Sequence, residues 1–286
     1  MGKTLIAFGI LLFLFVAYQL WGTGITERRE QKALGAAFQQ RLLTTPPTLP
    51  TPGDPVNAQP PPPPPELGEA AAMIEIPKID LKKFVVEGVG VEDLKAGPGH
   101  YPETPMPGEK GNAAIAGHRT TYGAPFYDLD SLEAGDPIFV STSAGRFRYD
   151  VTDTLIVDPS ESSVLDATED DRLTLTTCNP RFSAAERMIV VAKLMSPAVE
   201  GRPKPPPDEA GAEPEPRADL AGLSGDKANR RPAVMWGALA AGIWLAGWLL
   251  GRVWRRWPAY ALTVAPFLVV LFVFYENVAR LLPANV

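Results

Sequence analysis

Eighteen of the 31 prolines in this chain fall in two short windows, eleven at positions 46–65 and seven at positions 197–216. Proline has no amide N–H, and its ring clashes with the preceding turn of a helix. It is likewise confined to the edges of sheets. Neither window can therefore be regular helix or central strand. A single globule of 286 residues is excluded, and three separate blocks remain.

Charge and composition narrow the class. The net charge is −6, and no basic run exceeds two residues. A nucleic-acid partner is not expected from such a chain. One cysteine and two histidines exclude an intrachain disulfide and any multi-cysteine metal site. Neither a metal nor a cofactor is expected. Asp166, Glu169, Asp170 and Asp171 form an acidic cluster that reads as a solvated loop, with a metal or substrate-facing loop as the alternative. It lacks the spacing of a calcium-binding loop.

The outer blocks read as membrane segments. Leu5–Trp21 carries no charge and follows Lys3. It sits at the short limit for a bilayer core of ~30 Å. Bulky and aromatic residues run to Trp21 with no small-x-small site close behind, which favours an uncleaved anchor over a signal peptide. Ala233–Gly251 and Pro258–Tyr275 are two further apolar stretches, joined by a loop holding Arg252, Arg255, Arg256, Trp254 and Trp257. Short arginine-rich loops stay cytoplasmic. Counting from an inside N-terminus, the middle block lies on the outer face. Arg28, Arg29, Arg230 and Arg231 run against the charge rule, whereas Lys3 and the arginine loop agree with it.

Between the blocks lie linkers. Glu27–Gln40 is polar and helix-permissive, and is expected to stand off the membrane as a stalk. The stretch to Pro65 ends in six prolines, an extended polyproline II spacer. Pro197–Asp226 is acidic and proline-rich and reads as a second tether.

The middle block, Met73–Met195, has the size of one domain. It holds short β-rich runs at Met73–Ile76, Phe84–Val86, Asn112–Ala116, Pro137–Ser141, Phe147–Val157, Arg172–Thr177 and Met188–Leu194, separated by Gly, Pro and Asp. The best helical stretch is the short Phe126–Leu132. This pattern predicts an all-β sandwich or barrel with a few helical turns.

Three residues in this block carry chemistry. Cys178 ends the alternating strand Leu173-Thr174-Leu175-Thr176-Thr177 and precedes Asn179-Pro180, which stops it. A free thiol is more often a small buried hydrophobe than a nucleophile. His118 likewise ends an apolar strand, Asn112–Ala116 followed by Gly117. Its reference pKa of about 6.5 suits proton transfer. The rival His100 lies in the turn-rich Gly97-Pro-Gly-His-Tyr-Pro102, with no strand to position it. Arg187 opens the strand Met188–Ala192 and offers fixed donors for a carbonyl or oxyanion. Arg181, after Pro180, is its competitor.

Together these residues resemble the sortase family. Thr174-Leu175-Thr176-Thr177-Cys178 matches the family's T-L-x-T-C strand motif, Arg187 follows nine residues on, and Gly117-His118-Arg119 lies about sixty residues upstream. The run Gly117–Phe126 further resembles class E sortases of actinobacteria. The resemblance covers about 120 of the 286 residues. It implies an eight-stranded closed β-barrel, flanked here by transmembrane helices, on the outer face of a Gram-positive cell membrane. It implies that Cys178 attacks the Thr–Gly bond of an LAxTG or LPxTG sorting signal on a secreted protein, giving a thioacyl intermediate. His118 would be the acid and base, and Arg187 the oxyanion donor. The acceptor would be a peptidoglycan-precursor amine. Tyr122 is implied in signal choice, with Thr121 and Thr177 as further substrate-binding candidates.

The chain also departs from that family. Three apolar segments replace the usual one. Asp54-Pro55 is followed by Val56, not by the aromatic residue of a class C lid. Two other readings stay open, a cysteine hydrolase that releases surface proteins and a non-enzymatic binding module.

Overall fold

A computed structural model describes residues 2–44, 65–199, 230–253, 256–279 and 281. Apart from their edges, the two proline-rich windows lie outside the described residues, as do Asp54–Val56 and Trp254–Arg255. The chain forms two units, one of Gly24–Ser224 and one of Met1–Thr23 with Gly225–Ala284.

The larger unit is built on eight strands: β1 (Ala70–Ile76), β2 (Leu81–Glu87), β3 (Gly99–His100), β4 (Asn112–Ala116), β5 (Pro137–Thr142), β6 (Gly145–Val157), β7 (Arg172–Asn179) and β8 (Glu186–Leu194). They close into a barrel in the order β1-β2-β3-β4-β7-β8-β6-β5. The pairs β2–β3 and β4–β7 are parallel and the others antiparallel.

Period-two patterning decides which side chains fill the barrel. Ile74 and Ile76 of β1, Ile115 of β4, Ile138 and Val140 of β5, Leu173 and Leu175 of β7 and Val190 of β8 are fully buried in one cluster. On β7 the alternate residues Thr174, Thr176 and Cys178 take the opposite face. Cys178 there joins a second cluster with Ala114, Ala116, Val89, Leu94 and Tyr101. The barrel therefore has apolar residues on both faces of β4 and β7, and the outer one holds the thiol. The thirteen-residue β6 pairs with β5 over Gly145–Asp150 and with β8 over Tyr149–Val157, with a register shift against β8 between Val151 and Asp153.

The seven expected β-rich runs all lie in strands. The eighth, β3, is only two residues long, and it corrects the placement of His100. His100 is held on a strand, not in a free turn. Its Nδ1 lies 2.9 Å from the Glu87 carboxylate and its Nε2 3.0 Å from the Pro105 carbonyl. Phe126–Leu132 is also corrected. It contains only a 3-10 turn at Leu129–Ser131, because Phe126 and Leu129 are drawn into the barrel core.

The helices are α1 (Gly2–Ala17), α2 (Thr23–Thr44), α3 (Val91–Ala96), α4 (Arg231–Val253) and α5 (Arg256–Ala279), with a π-helical turn at Tyr18–Gly22. From Gly24 onward α2 belongs to the barrel unit, so the stretch expected to stand off as a stalk is docked instead. Leu34 and Phe38, one turn apart, pack with Ala70 of β1 and Val86 of β2. The Gln31 amide donates to the Phe84 and Ala96 carbonyls at 2.9 and 2.8 Å, and accepts the Phe84 N–H at 2.8 Å. A mostly polar segment thus docks through three apt side chains.

Three helices, Gly9–Leu43, Arg231–Val253 and Tyr260–Ala279, are long and apolar enough to cross a membrane. In the smaller unit Tyr18 clusters with Leu271, Tyr275 and Ala279, and the Tyr275 hydroxyl donates to the Leu11 carbonyl at 2.8 Å.

The docking of α2 is testable by truncating Phe38, which is buried. Phe38→Ala is expected to cost about 3 kcal/mol, the usual order for a phenylalanine removed from a core. Denaturant unfolding of the full chain in detergent, followed by pulsed alkylation of Cys178, the chain's single thiol and buried in the barrel unit, measures it. An unchanged midpoint would mean that α2 is undocked in solution.

Candidate active site

Strand register brings the candidate residues together. In the parallel ladder between β4 and β7, Ala116 lies opposite Thr176. The next residue, Gly117, continues the ladder by donating its N–H to the Thr176 carbonyl at 3.0 Å. The Thr177 hydroxyl then donates to the Gly117 carbonyl at 2.7 Å. His118 is therefore delivered to the same barrel rim as Cys178. A Cβ on Gly117 would lie 2.6 Å from the Phe126 ring, so only glycine fits where the chain turns from strand to histidine.

On the other side β7 pairs with β8, and Cys178 is the direct cross-strand partner of Arg187. Opposed residues in an antiparallel pair share a face, with Cβ atoms about 5 Å apart. The Arg187 Nη1 donates to the Ala184 and Glu186 carbonyls at 3.0 Å each, which fixes the guanidinium. Tyr101 reports the same neighbourhood. Burial pushes its hydroxyl up to about 12, opposed by its bond to Thr176 and by the Arg187 charge.

All three candidates are buried: Cys178 is 0% exposed, Arg187 1% and His118 2%. Both ring nitrogens of His118 are buried with no hydrogen-bond partner. Burial, aided by the positive charge of Lys95 on α3, lowers its pKa to about 3. The imidazole is neutral at working pH and has both nitrogens free for a reacting group. The Tyr122 ring lies beside it, with centroids 5.1 Å apart and planes inclined at 34°.

The remaining candidates divide. Tyr122 sits against His118, in a loop where Tyr122 and Ala124 both have left-handed backbone (φ 48° and 45°). Such strain is concentrated at functional sites. Thr121 is buried in that loop, its carbonyl accepting the Ala124 N–H. Thr177 faces away from Cys178 along the strand, and its hydroxyl is used by Gly117. This arrangement positions the rim. Arg181 is bound to Asp128 and Asp130, with its guanidinium over the Tyr127 ring. The acidic cluster is used in folding: Asp170 pairs with Arg172, and Asp171 accepts the Gly111 N–H.

One structural contributor escaped sequence reasoning. Arg119 is 2% exposed. Its Nη1 donates to the Cys178 carbonyl at 3.2 Å and to Asn179 Oδ1 at 2.8 Å, and its Nη2 pairs with Asp130 at 3.0 Å. It clamps the residue after His118 onto the end of the cysteine strand. Its adjacency to His118 was the only signal available.

A mixed, closed β-barrel with a thiol, a neutral imidazole and a guanidinium on neighbouring strand ends defines a class of barrel with a cysteine-centred site. Comparison with known proteins places it further. The sortase domain profile matches residues 74–195. Sortase SrtE1 of Streptomyces coelicolor is 34% identical over 71% of this chain and 59% of its own length. Sortase D of Bacillus subtilis is 39% identical over 46% of this chain and 67% of its own. A crystal structure of sortase E1 from Streptomyces coelicolor is 39% identical, covering 48% of this chain and 91% of that one, with a TM-score of 0.42. The chain belongs to the sortase family. It spans somewhat over half the length of SrtE1.

Two consequences are measurable. The His118 pKa is depressed in the folded state, so its contribution to stability is complete above about pH 6.5. That contribution is lost as pH falls toward about 3. Over that window the wild-type chain is expected to lose about 1.4 kcal/mol per pH unit relative to His118→Gln. Parallel slopes in pH-dependent denaturation would refute this. Thr177→Val removes the donor to the Gly117 carbonyl and is expected to cost about 1–2 kcal/mol in the same assay.

Proposed function

We propose that this chain is a membrane-held cysteine transpeptidase that acts on an LAxTG- or LPxTG-type sorting signal. The observation that carries the reading is the placement of Cys178 between its cross-strand partner Arg187 and the rim residue His118.

The chemistry proceeds from the protonation states. His118 begins neutral. It takes the proton of the Cys178 thiol as sulfur attacks the carbonyl carbon between Thr and Gly. Arg187 donates to the oxygen that becomes negative, a charge-assisted bond strongest in the tetrahedral intermediate. The C–N bond then breaks, and His118 passes the same proton to the leaving amine, giving a thioester on Cys178. In the second half an incoming amine attacks the thioester, His118 accepts its proton, and the proton returns to sulfur as the new amide forms. The thiolate is the nucleophilic form of cysteine, and Arg187 supplies a permanent neighbouring cation.

We place the barrel on the outer face of the membrane, with Lys3 and the arginine loop inside. Secreted proteins with a sorting signal are the proposed substrates and a peptidoglycan-precursor amine the proposed acceptor. Tyr122, which packs on His118, is the proposed determinant of the choice between Ala and Pro at the second position of the signal. The two C-terminal spans are proposed to hold the barrel near the membrane.

Incubating the full chain in detergent with an LAxTG peptide, an LPxTG peptide and an amine tests the reading. Ligated product that vanishes in Cys178→Ala is expected. Cleaved product alone would make the chain a hydrolase, and no Cys178-dependent product would overturn an enzymatic reading. Arg187→Ala is expected to lower kcat by about 10²–10³-fold. Arg187→Lys is expected not to rescue it, because a lysine cannot reproduce the planar fork of donors.

A further inference from the structure

The sortase domain profile begins at residue 74, yet the site leans on a residue far upstream of it. Glu27 of α2 is 1% exposed. Its Oε1 is paired with Lys83 Nζ of β2 at 2.5 Å. The other side of its carboxylate faces Gly123. A Cβ built on Gly123 would lie 2.7 Å from both Cδ and Oε2 of Glu27, and 3.2 Å from Cγ. Gly123 has φ +75° and directly follows Tyr122, itself at φ 48°. Tyr122 in turn packs on His118. The Glu27 side chain, the Gly123 backbone and the Tyr122 ring therefore connect α2 to the imidazole.

We propose that Glu27 is a positioning residue of the active site: anchored by Lys83, it bears on Gly123 and holds the Tyr122 ring against His118. The functional unit then begins within α2.

Three features make this more than docking. Leu34, Phe38 and Gln31 already attach α2 to β1, β2 and the end of α3. Burying Glu27 carries a desolvation cost that an apolar residue would avoid. The loop it touches has left-handed backbone at three successive residues, Tyr122, Gly123 and Ala124. Such a conformation persists only when its surroundings over-determine it. A carboxylate held by a lysine offers a flat, fixed stop for that loop, and glycine is what lets the two approach.

Cys178 is the chain's single cysteine, so its alkylation by iodoacetamide reads the closure of this site without any substrate. The full chain in detergent is compared with Glu27→Ala, Glu27→Gln and Leu34→Ala. Glu27→Ala removes the stop and is expected to raise the alkylation rate about tenfold, as local opening exposes the thiol. Glu27→Gln keeps the shape and an acceptor for Lys83, and is expected to alkylate at the wild-type rate. Leu34→Ala weakens the same helix's docking without touching Gly123. It is expected to lower Tm at least as much as Glu27→Ala while alkylating at the wild-type rate. The inference rests on the proposed function only in its kinetic arm. There Glu27→Ala is expected to lower kcat about tenfold with KM within about twofold, since misplacing a reacting group costs rate more than binding. The substitution Gly123→Ala gives a further check. Its damage to the alkylation rate should be smaller in the Glu27→Ala background, where the clash is gone. Equal alkylation rates in Glu27→Ala and Leu34→Ala, or a Glu27→Gln as fast as Glu27→Ala, would overturn the inference. A wild-type chain that neither transfers nor cleaves would overturn the proposed function, and the alkylation comparison would still decide the role of Glu27.

Discussion

The parallel ladder between β4 and β7 is the constraint on which the rest of the site depends. Five residue pairs run from Asn112 opposite Arg172 to Ala116 opposite Thr176. Parallel strands end at the same rim, so the residues that follow each strand emerge together. His118 and Cys178 are neighbours for that reason, although sixty positions separate them. The antiparallel partner of β7 then supplies Arg187 from the start of β8 at the same rim. Slipping either register by one residue would turn the thiol into the barrel interior, because side chains alternate faces along a strand.

Several residues besides Cys178, His118 and Arg187 act by holding this register. Thr177 and Gly117 extend the ladder past the end of β4, and Phe126 leaves room there only for glycine. Thr174 donates to Asn112 Oδ1 at 2.7 Å on the outer face, while the Asn112 amide reaches the Val164 and Asp166 carbonyls. Arg119 clasps the Cys178 carbonyl from the histidine loop. Tyr101 covers Thr176 from β3's end. Most of these buried polar groups are matched to one another, whereas both nitrogens of His118 and the Nε of Arg119 have no hydrogen-bond partner. An unsatisfied buried imidazole costs stability. Its two free nitrogens are the ones the proposed proton transfer would use.

Much of the fold was legible because barrel strands leave a strong local signal. Ile138 and Val140, or Leu173 and Leu175, declare their inward face by spacing alone. What sequence missed were elements held by distant partners. Two residues of β3 have no periodicity to read, and His100 is placed by Glu87 and Pro105. Phe126 and Leu129 looked helical in isolation, but the barrel core claims both. The polar stretch from Glu27 looked like a stalk because its few contact residues, Gln31, Leu34 and Phe38, are spread among charges.

The chemical parts and their places along the chain are readable from the residues alone. They are a single thiol at a strand end, a histidine at another, an arginine opening a third, and proline-rich breaks that isolate one barrel from apolar segments. These are local properties, set by residue type and by the period of neighbouring side chains. Which of them meet is set by the folded barrel. Cross-strand register put Arg187 opposite Cys178, burial removed the charge from His118, and the docking of α2 set Glu27 beneath the Tyr122 loop. Each of those outcomes depends on contacts between residues tens of positions apart, where sequence carries no spacing to read.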